Sequence, residues 1–187
     1  MIAVAVMAGS GGYFAAQILG PGQQSTRQSV QQAQLMAQAM ATNRIEDLVG
    51  QPRPDFTLGD SNGTPVSAAD FNGQVMLVNF WATWCKPCVE EMPMLSGLQQ
   101  SYAAHGVQVV GIALDDPQKA QEFAAQLEIS YPVLVGTTDA ILVGRQYGNR
   151  AGMLPYSVLV DSEGIVRWAY LGALDKDELE AQIQAVL

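Results

Sequence analysis

The chain has 187 residues, 49% hydrophobic and 14% charged, which suits one ordinary domain with something left over and excludes a disordered chain. The formal net charge is −9; an acidic surface repels phosphate, which argues against nucleic acid as a main partner. Two cysteines, Cys85 and Cys88, are too few for a disulfide-stapled mini-protein or a four-thiolate zinc site.

Charge divides the chain unevenly. All 18 Asp and Glu lie at or beyond Glu46, whereas Arg27 and Arg44 are the basic residues before it. That pattern predicts an acidic globular domain on a nearly uncharged leader. Residues 2–19 form an uncharged, mostly apolar run just long enough to cross a bilayer as a helix. It is weakened by Gly9, Ser10, Gly11, Gly12 and Gln17. Three readings stay open: a signal-anchor, which we expect, a cleaved signal peptide, or a buried helix of the domain. Gly20-Pro21-Gly22 is a poor cleavage site. Arg27 follows the run and no Lys or Arg precedes it. Taken literally, that places the domain inside the cell; a leader whose basic start lies upstream reconciles the two. Residues 1–22 are thus read as leader, 23–47 as a Gln/Ala-rich linker with a weakly amphipathic helix, and 48–187 as the domain.

Within the domain, short apolar runs alternate with helical stretches. Phe56-Thr-Leu58 reads as an edge strand before an Asn62-Gly63 turn. The run from Val75 to Trp81 suits a strand buried on both faces. A helix is expected from Lys86, kinked at Pro93, then a buried strand over 107–114. Asp115-Asp116-Pro117 opens a helix over 117–128. A short strand over 131–135 and a helix over 138–147 follow. Strands at 157–160 and 165–170 pair around Ser162-Glu-Gly164, and an amphipathic helix over 175–186 closes the chain. The predicted class is α/β, a three-layer sandwich with a mixed central sheet.

Trp84-Cys85-Lys86-Pro87-Cys88 falls at a strand-to-helix junction, where a dithiol has a physical logic. Unpaired N–H groups and the dipole at a helix start stabilise a Cys85 thiolate, and Lys86 adds positive charge. Pro87 costs little in the first turn, because its missing N–H would have had no partner. Cys88 lies one turn deeper, placed to resolve a mixed disulfide made by Cys85. His105 is the single histidine, so the pair is a poor half of a metal site; His105 itself reads as a surface residue in a turn. No metal and no cofactor beyond the Cys85–Cys88 disulfide is expected.

The segment from Asn79 through Trp84-Cys-Lys-Pro-Cys88 to Glu91-Met-Pro93 resembles the active-site segment of thioredoxin-fold proteins. More narrowly, it resembles the membrane-tethered, extracytoplasmic TlpA/ResA/CcmG (DsbE) group of thiol–disulfide oxidoreductases. Pro54-Asp-Phe-Thr-Leu58, Asp70-Phe-Asn-Gly73 and Leu154-Pro-Tyr-Ser-Val-Leu-Val-Asp161 extend the resemblance over residues 48–187. It implies a thioredoxin fold with an extra strand–helix insertion between Cys88 and Pro155. It also implies a cis-proline at Pro155 facing the dithiol and a buried Glu91 that takes the Cys88 proton. Asn79 stands where plain thioredoxins carry a buried aspartate. Trp81 and Trp84 would frame the site; Trp84, Lys86, Pro87, Leu154 and Pro155 would meet substrate. Leu154 and Tyr156 depart from the usual residues beside the cis-proline, and both are expected to line the groove.

The resemblance implies a reductant of disulfides in extracytoplasmic proteins, apocytochrome c among them, fed by a membrane thiol reductase. Two alternatives are a thiol peroxidase, which wants Thr and Arg partners for its cysteine, and a copper chaperone. The latter wants a C-x-x-x-C pair with a later histidine; this chain has C-x-x-C, and its single histidine, His105, reads as a surface residue in a turn.

Overall fold

A computed structural model describes residues 45–187. The leader, and the linker as far as residue 44, lie outside the described residues, so their readings stand as expectations. Ile45–Leu48 forms a short helix, α1, with Leu48 in the core and Ile45 packed on it. Strands β1 (Thr57–Asp60) and β2 (Pro65–Ser67) form a hairpin, and a single 3-10 turn capped by Ser67 leads to β3 (Val75–Trp81). The chain continues as α2 (Lys86–Tyr102), β4 (Val107–Leu114), α3 (Pro117–Gln126), β5 (Val133–Gly136) and α4 (Thr138–Gln146). It closes with β6 (Tyr156–Val160), β7 (Val166–Leu171) and α5 (Lys176–Gln184).

The seven strands make one sheet in the order β2-β1-β5-β4-β3-β6-β7. β4 runs parallel to both β3 and β5, and the other pairings are antiparallel, so the sheet is mixed as predicted. Every residue of β3 is buried, which is why its sequence is a continuous apolar run rather than an alternating one. Its alternate residues still serve different layers. Met76, Val78 and Phe80 pack towards α1 and α4; Val75 and Leu77 meet Leu95 and Leu98 of α2 and Leu179 and Ile183 of α5. Trp81 joins Ala120 and Phe123 of α3. Each such aliphatic side chain taken fully out of water stabilises the fold by about 1.5–3 kcal/mol.

Several expectations shift. The strand at Thr57 is interior, because β2 pairs along its outer side. Pro93 sits inside α2 without ending it. α3 stops two residues short of the expected end, at Gln126, and closes by local bonding: the N–H of Ile129 reaches Ala124 O at 3.1 Å and that of Glu128 reaches Ala125 O at 3.2 Å, the paired pattern that terminates helices. The insertion is real: β5 and its neighbouring helices intervene between Cys88 and Pro155.

Candidate active site

β3 is a rigid central strand, so the chain that leaves it at Trp81 is held in place on both sides. The turn that follows is anchored by a residue the motif reading passed over. Asp115 Oδ2, at the end of β4, accepts the Thr83 N–H at 3.0 Å and the Thr83 hydroxyl at 2.6 Å. Burial pushes the Asp115 carboxyl up, but hydrogen bonds from Thr83 and Asp116 and the charge of Lys119 outweigh it and hold the group below its ordinary value.

Cys85 is the N-cap of α2 and Pro87 lies in its first turn, as the sequence implied. The two sulfurs are joined as a disulfide. Cys85 is 6% exposed and Cys88 fully buried, whereas Trp84 beside them is 71% exposed. Lys86 reaches Glu90 Oε1 at 3.5 Å on the surface, so its charge is shared with a neighbour and offers Cys85 less than the sequence suggested. The helix start itself remains the main support for a thiolate there.

Glu91, one turn after Cys88, is 4% exposed. Its Oε1 accepts the Nδ2–H of Asn79 at 2.8 Å and its Oε2 accepts the Leu174 N–H at 2.9 Å, from the loop ahead of α5. Asn79 also donates to Ser157 Oγ on β6 at 3.0 Å. Burial pushes the Glu91 carboxyl above its ordinary value, against the Leu174 and Asn79 hydrogen bonds that hold it down. A carboxylate poised in this way can exchange a proton with a neighbouring thiol.

The Leu154–Pro155 peptide is cis, and Leu154 packs against the cluster that contains Cys85 and Cys88. The loop before it is pinned by buried Asn149: Nδ2 donates to Met153 O at 2.8 Å, and Oδ1 accepts the Met153 N–H at 3.0 Å. That leaves Met153 51% exposed beside the cis-proline. Tyr156 corrects an expectation. It does not line the groove but is fully buried against Phe80 and Tyr147, and its hydroxyl donates to Tyr147 O at 2.6 Å. Tyr156 opens β6 with its side chain on the α4 side of the sheet, whereas Ser157 faces Asn79.

Asn149, Asp115 and the Leu174 amide were not found from sequence, since each acts through a contact set by tertiary structure. Among the described residues no group of three His, Cys, Asp or Glu stands close enough to hold a metal ion, and His105 is exposed.

A disulfide at a helix start, a buried carboxylate one turn further along that helix, and a cis-proline whose preceding residue packs on the same cluster, all on a mixed sheet, define a thioredoxin-fold thiol–disulfide oxidoreductase. Comparison with known proteins narrows the class. Residues 49–169 match the AhpC/TSA family. The chain is 30% identical over 146 residues to the thiol-disulfide oxidoreductase ResA of Geobacillus thermodenitrificans, covering 78% of this chain and 82% of that one. The crystal structure of a Chlorobium tepidum protein assigned as thiol:disulfide interchange protein DsbE superposes with a TM-score of 0.68 at 35% identity, covering 74% of this chain and 96% of that one. A secreted Mycobacterium tuberculosis disulfide oxidoreductase, homologous to DsbE of E. coli, gives a TM-score of 0.61 at 25% identity over 70% of this chain and 95% of that one. The chain belongs to the AhpC/TSA family, and within it to the ResA- and DsbE-like thiol–disulfide oxidoreductases.

Proposed function

We propose that the protein is a membrane-tethered, extracytoplasmic reductase of disulfides in partner proteins, with Cys85 as nucleophile, Cys88 as resolving thiol and Glu91 as proton acceptor. The Cys85 thiolate attacks a partner disulfide; one partner sulfur leaves, and the other is held as a mixed disulfide. Cys88 then attacks the Cys85 sulfur, its proton passes to Glu91, and the second partner sulfur leaves as a thiolate. Two electrons have moved from the Cys85–Cys88 dithiol to the partner, which is now reduced. The single observation that carries this reading is that Cys85 caps α2 and that fully buried Cys88 and buried Glu91 follow it at three-residue steps along the same helix.

Trp84, Lys86, Pro87, Leu154 and Pro155 form the substrate face in this reading. An extended partner segment lies along the cis-proline backbone as an added strand, with Trp84 and Met153 covering apolar side chains. The apolar run over 2–19 supports a tether, and the secreted Mycobacterium tuberculosis relative supports an extracytoplasmic site. Clients are disulfide-bearing proteins of that compartment, apocytochrome c among them, and a membrane thiol reductase supplies electrons. The peroxidase alternative has less support, because the Thr83 hydroxyl is given to Asp115 rather than aimed at a cysteine sulfur.

Reduction is favoured over oxidation because Lys86-Pro87 lacks the histidine that stabilises the dithiol in strongly oxidising relatives. The test is the reduction potential of the Cys85–Cys88 pair, titrated against defined thiol buffers. A value near or below roughly −250 mV marks a reductant, and one near roughly −120 mV reverses the direction.

A further inference from the structure

Asn79 and Ser157 are register partners on β3 and β6, both fully buried, and they carry the hydrogen bonds round Glu91. Asn79 Nδ2 donates to Glu91 Oε1 at 2.8 Å and to Ser157 Oγ at 3.0 Å, so both of its N–H groups are used. Its Oδ1 is buried and has no partner. Buried polar groups are nearly always paired, so an idle acceptor on the same amide as a fully used donor needs a physical reason.

That reason lies in what Glu91 requires when it takes a proton. Ionised, both of its oxygens accept: Oε1 from Asn79 and Oε2 from the Leu174 N–H at 2.9 Å. Protonated, it has one O–H to place. A backbone N–H only donates, so the Leu174 side offers that proton no acceptor. On Oε1 the proton meets the Asn79 Nδ2–H, donor against donor, unless the amide turns over. Half a turn about Cβ–Cγ exchanges Oδ1 for Nδ2 in nearly the same volume. The Ser157 hydroxyl accepts in one orientation and donates in the other, because a serine O–H rotates to suit. An aspartate at position 79 would have no donor end and would set a second negative charge against the ionised carboxylate.

We propose that Asn79 is a two-way amide switch that follows the protonation of Glu91: Nδ2 donates to the carboxylate, and Oδ1 turns in to accept from the carboxylic acid and from Ser157. Its part in turnover rests on the reading of Glu91 as proton acceptor. One proton passes from the Cys88 thiol to Glu91 Oε1; the turn of the amide makes and breaks hydrogen bonds only and moves no electrons. Asn79 is thus a positioning residue, which keeps Glu91 in one place whether or not it carries the proton. Other ionisable groups near the site are accounted for. In the oxidised protein Cys88 is tied in the disulfide. Glu90 is exposed and reaches Lys86. Asp175, next to Leu174, turns its carboxylate to the Glu178 N–H. Tyr131, ahead of β5, has its phenol pushed above its ordinary value by burial first and then by the Glu91 charge.

The test is a pH titration of the oxidised full-length protein by NMR, isotope-labelled in asparagine side-chain nitrogen and glutamate carboxyl carbon. As the Glu91 carboxyl takes its proton, both Asn79 Nδ2 protons should leave their hydrogen-bonded positions together, at the Glu91 midpoint. In a rigid amide only the proton facing Glu91 responds while the one facing Ser157 stays, and that outcome overturns the switch. Glu91→Gln supplies the protonated geometry at every pH, because the Leu174 N–H holds its amide oxygen and leaves Nε2 facing Asn79. Both Nδ2 signals should then sit at the low-pH wild-type position; signals at the high-pH position overturn the switch. The titration needs no variant at Asn79, so it decides the matter even where such a variant fails to fold.

Turnover is read by mixing the reduced protein with a nitrothiobenzoate disulfide, whose first half absorbs on release when Cys85 attacks and whose second half does so when Cys88 resolves. Asn79→Leu, which has neither donor nor acceptor in its side chain, should slow the second phase roughly tenfold more than the first. On the Glu91→Gln background it should add nothing. A second phase in Asn79→Leu within about twofold of wild type, with Glu91→Gln slow, overturns the switch as a step of turnover and leaves the Glu91 reading standing. A wild-type second phase in Glu91→Gln overturns that reading and the switch's part in turnover with it.

Discussion

Glu91 Oε1 accepts the Asn79 Nδ2–H at 2.8 Å, a bond that joins the helix capped by Cys85 to the central strand β3. The same carboxylate takes the Leu174 N–H, so three distant segments of the chain meet on one side chain. Because the group is buried, the two hydrogen bonds hold it in place without making ionisation easy.

Stability of the oxidised protein should therefore depend on pH in the direction set by a raised carboxyl. The folded state binds the Glu91 proton more tightly than the unfolded state does. Its contribution is fully present below the ordinary value of 4.5 and is lost as pH rises through the folded value. Glu91→Gln should remove that slope and be the more stable of the two at neutral pH, since Asn79 can turn its free Oδ1 to the new amide. Denaturant midpoints across pH check this; a slope that survives Glu91→Gln would assign it to another group.

The two cysteines should separate cleanly in trapping experiments. Cys88→Ser should accumulate mixed disulfides through Cys85, seen as higher-mass species that disappear with reductant, whereas Cys85→Ser should abolish exchange. Retained activity in Cys85→Ser would sink the assignment of nucleophile.

Asn149→Ala should cost about 1–3 kcal/mol, because it leaves both the N–H and the C=O of Met153 without the partners that Asn149 supplies. The loop ahead of the cis-proline should loosen with it. Reduction of a protein disulfide should then lose efficiency more than reduction of a small aromatic one, which makes few contacts with that loop. Equal losses on both substrates would show that the loop does not grip the partner.

Glu128 occupies the residue after the cap of α3 with φ of 51°, a left-handed conformation that glycine adopts without strain. Glu128→Gly should keep the bonds from residues 128 and 129 to Ala125 and Ala124 and raise stability by about 1 kcal/mol, measured by thermal unfolding. A decrease would mean that the Glu128 side chain contributes more than its backbone strain costs.

Much of the fold was legible because its signals are local. The apolar run of β3 announces burial on both faces, Asp116-Pro117 opens α3 as a cap followed by proline, and Cys85-Lys-Pro-Cys88 declares a helix-start dithiol. The errors came where neighbours decide. Nothing in Phe56-Thr-Leu58 reveals that β2 will cover its outer side. Nothing beside Pro155 says that Tyr156 turns to the core to bond Tyr147 O, since a one-residue step along a strand reverses the face.

The sequence by itself determined the chemistry: two thiols at one spacing, a proline between them, and a carboxylate one turn further along the helix. Covalent spacing and helical period carry that information along a few contiguous residues. Tertiary structure alone decided what the carboxylate is worth. Burial raises its proton affinity, and Asn79 and Leu174 restrain it. Those effects depend on distance in space and on exclusion of water, which appear only when strands and loops far apart in the chain are packed together.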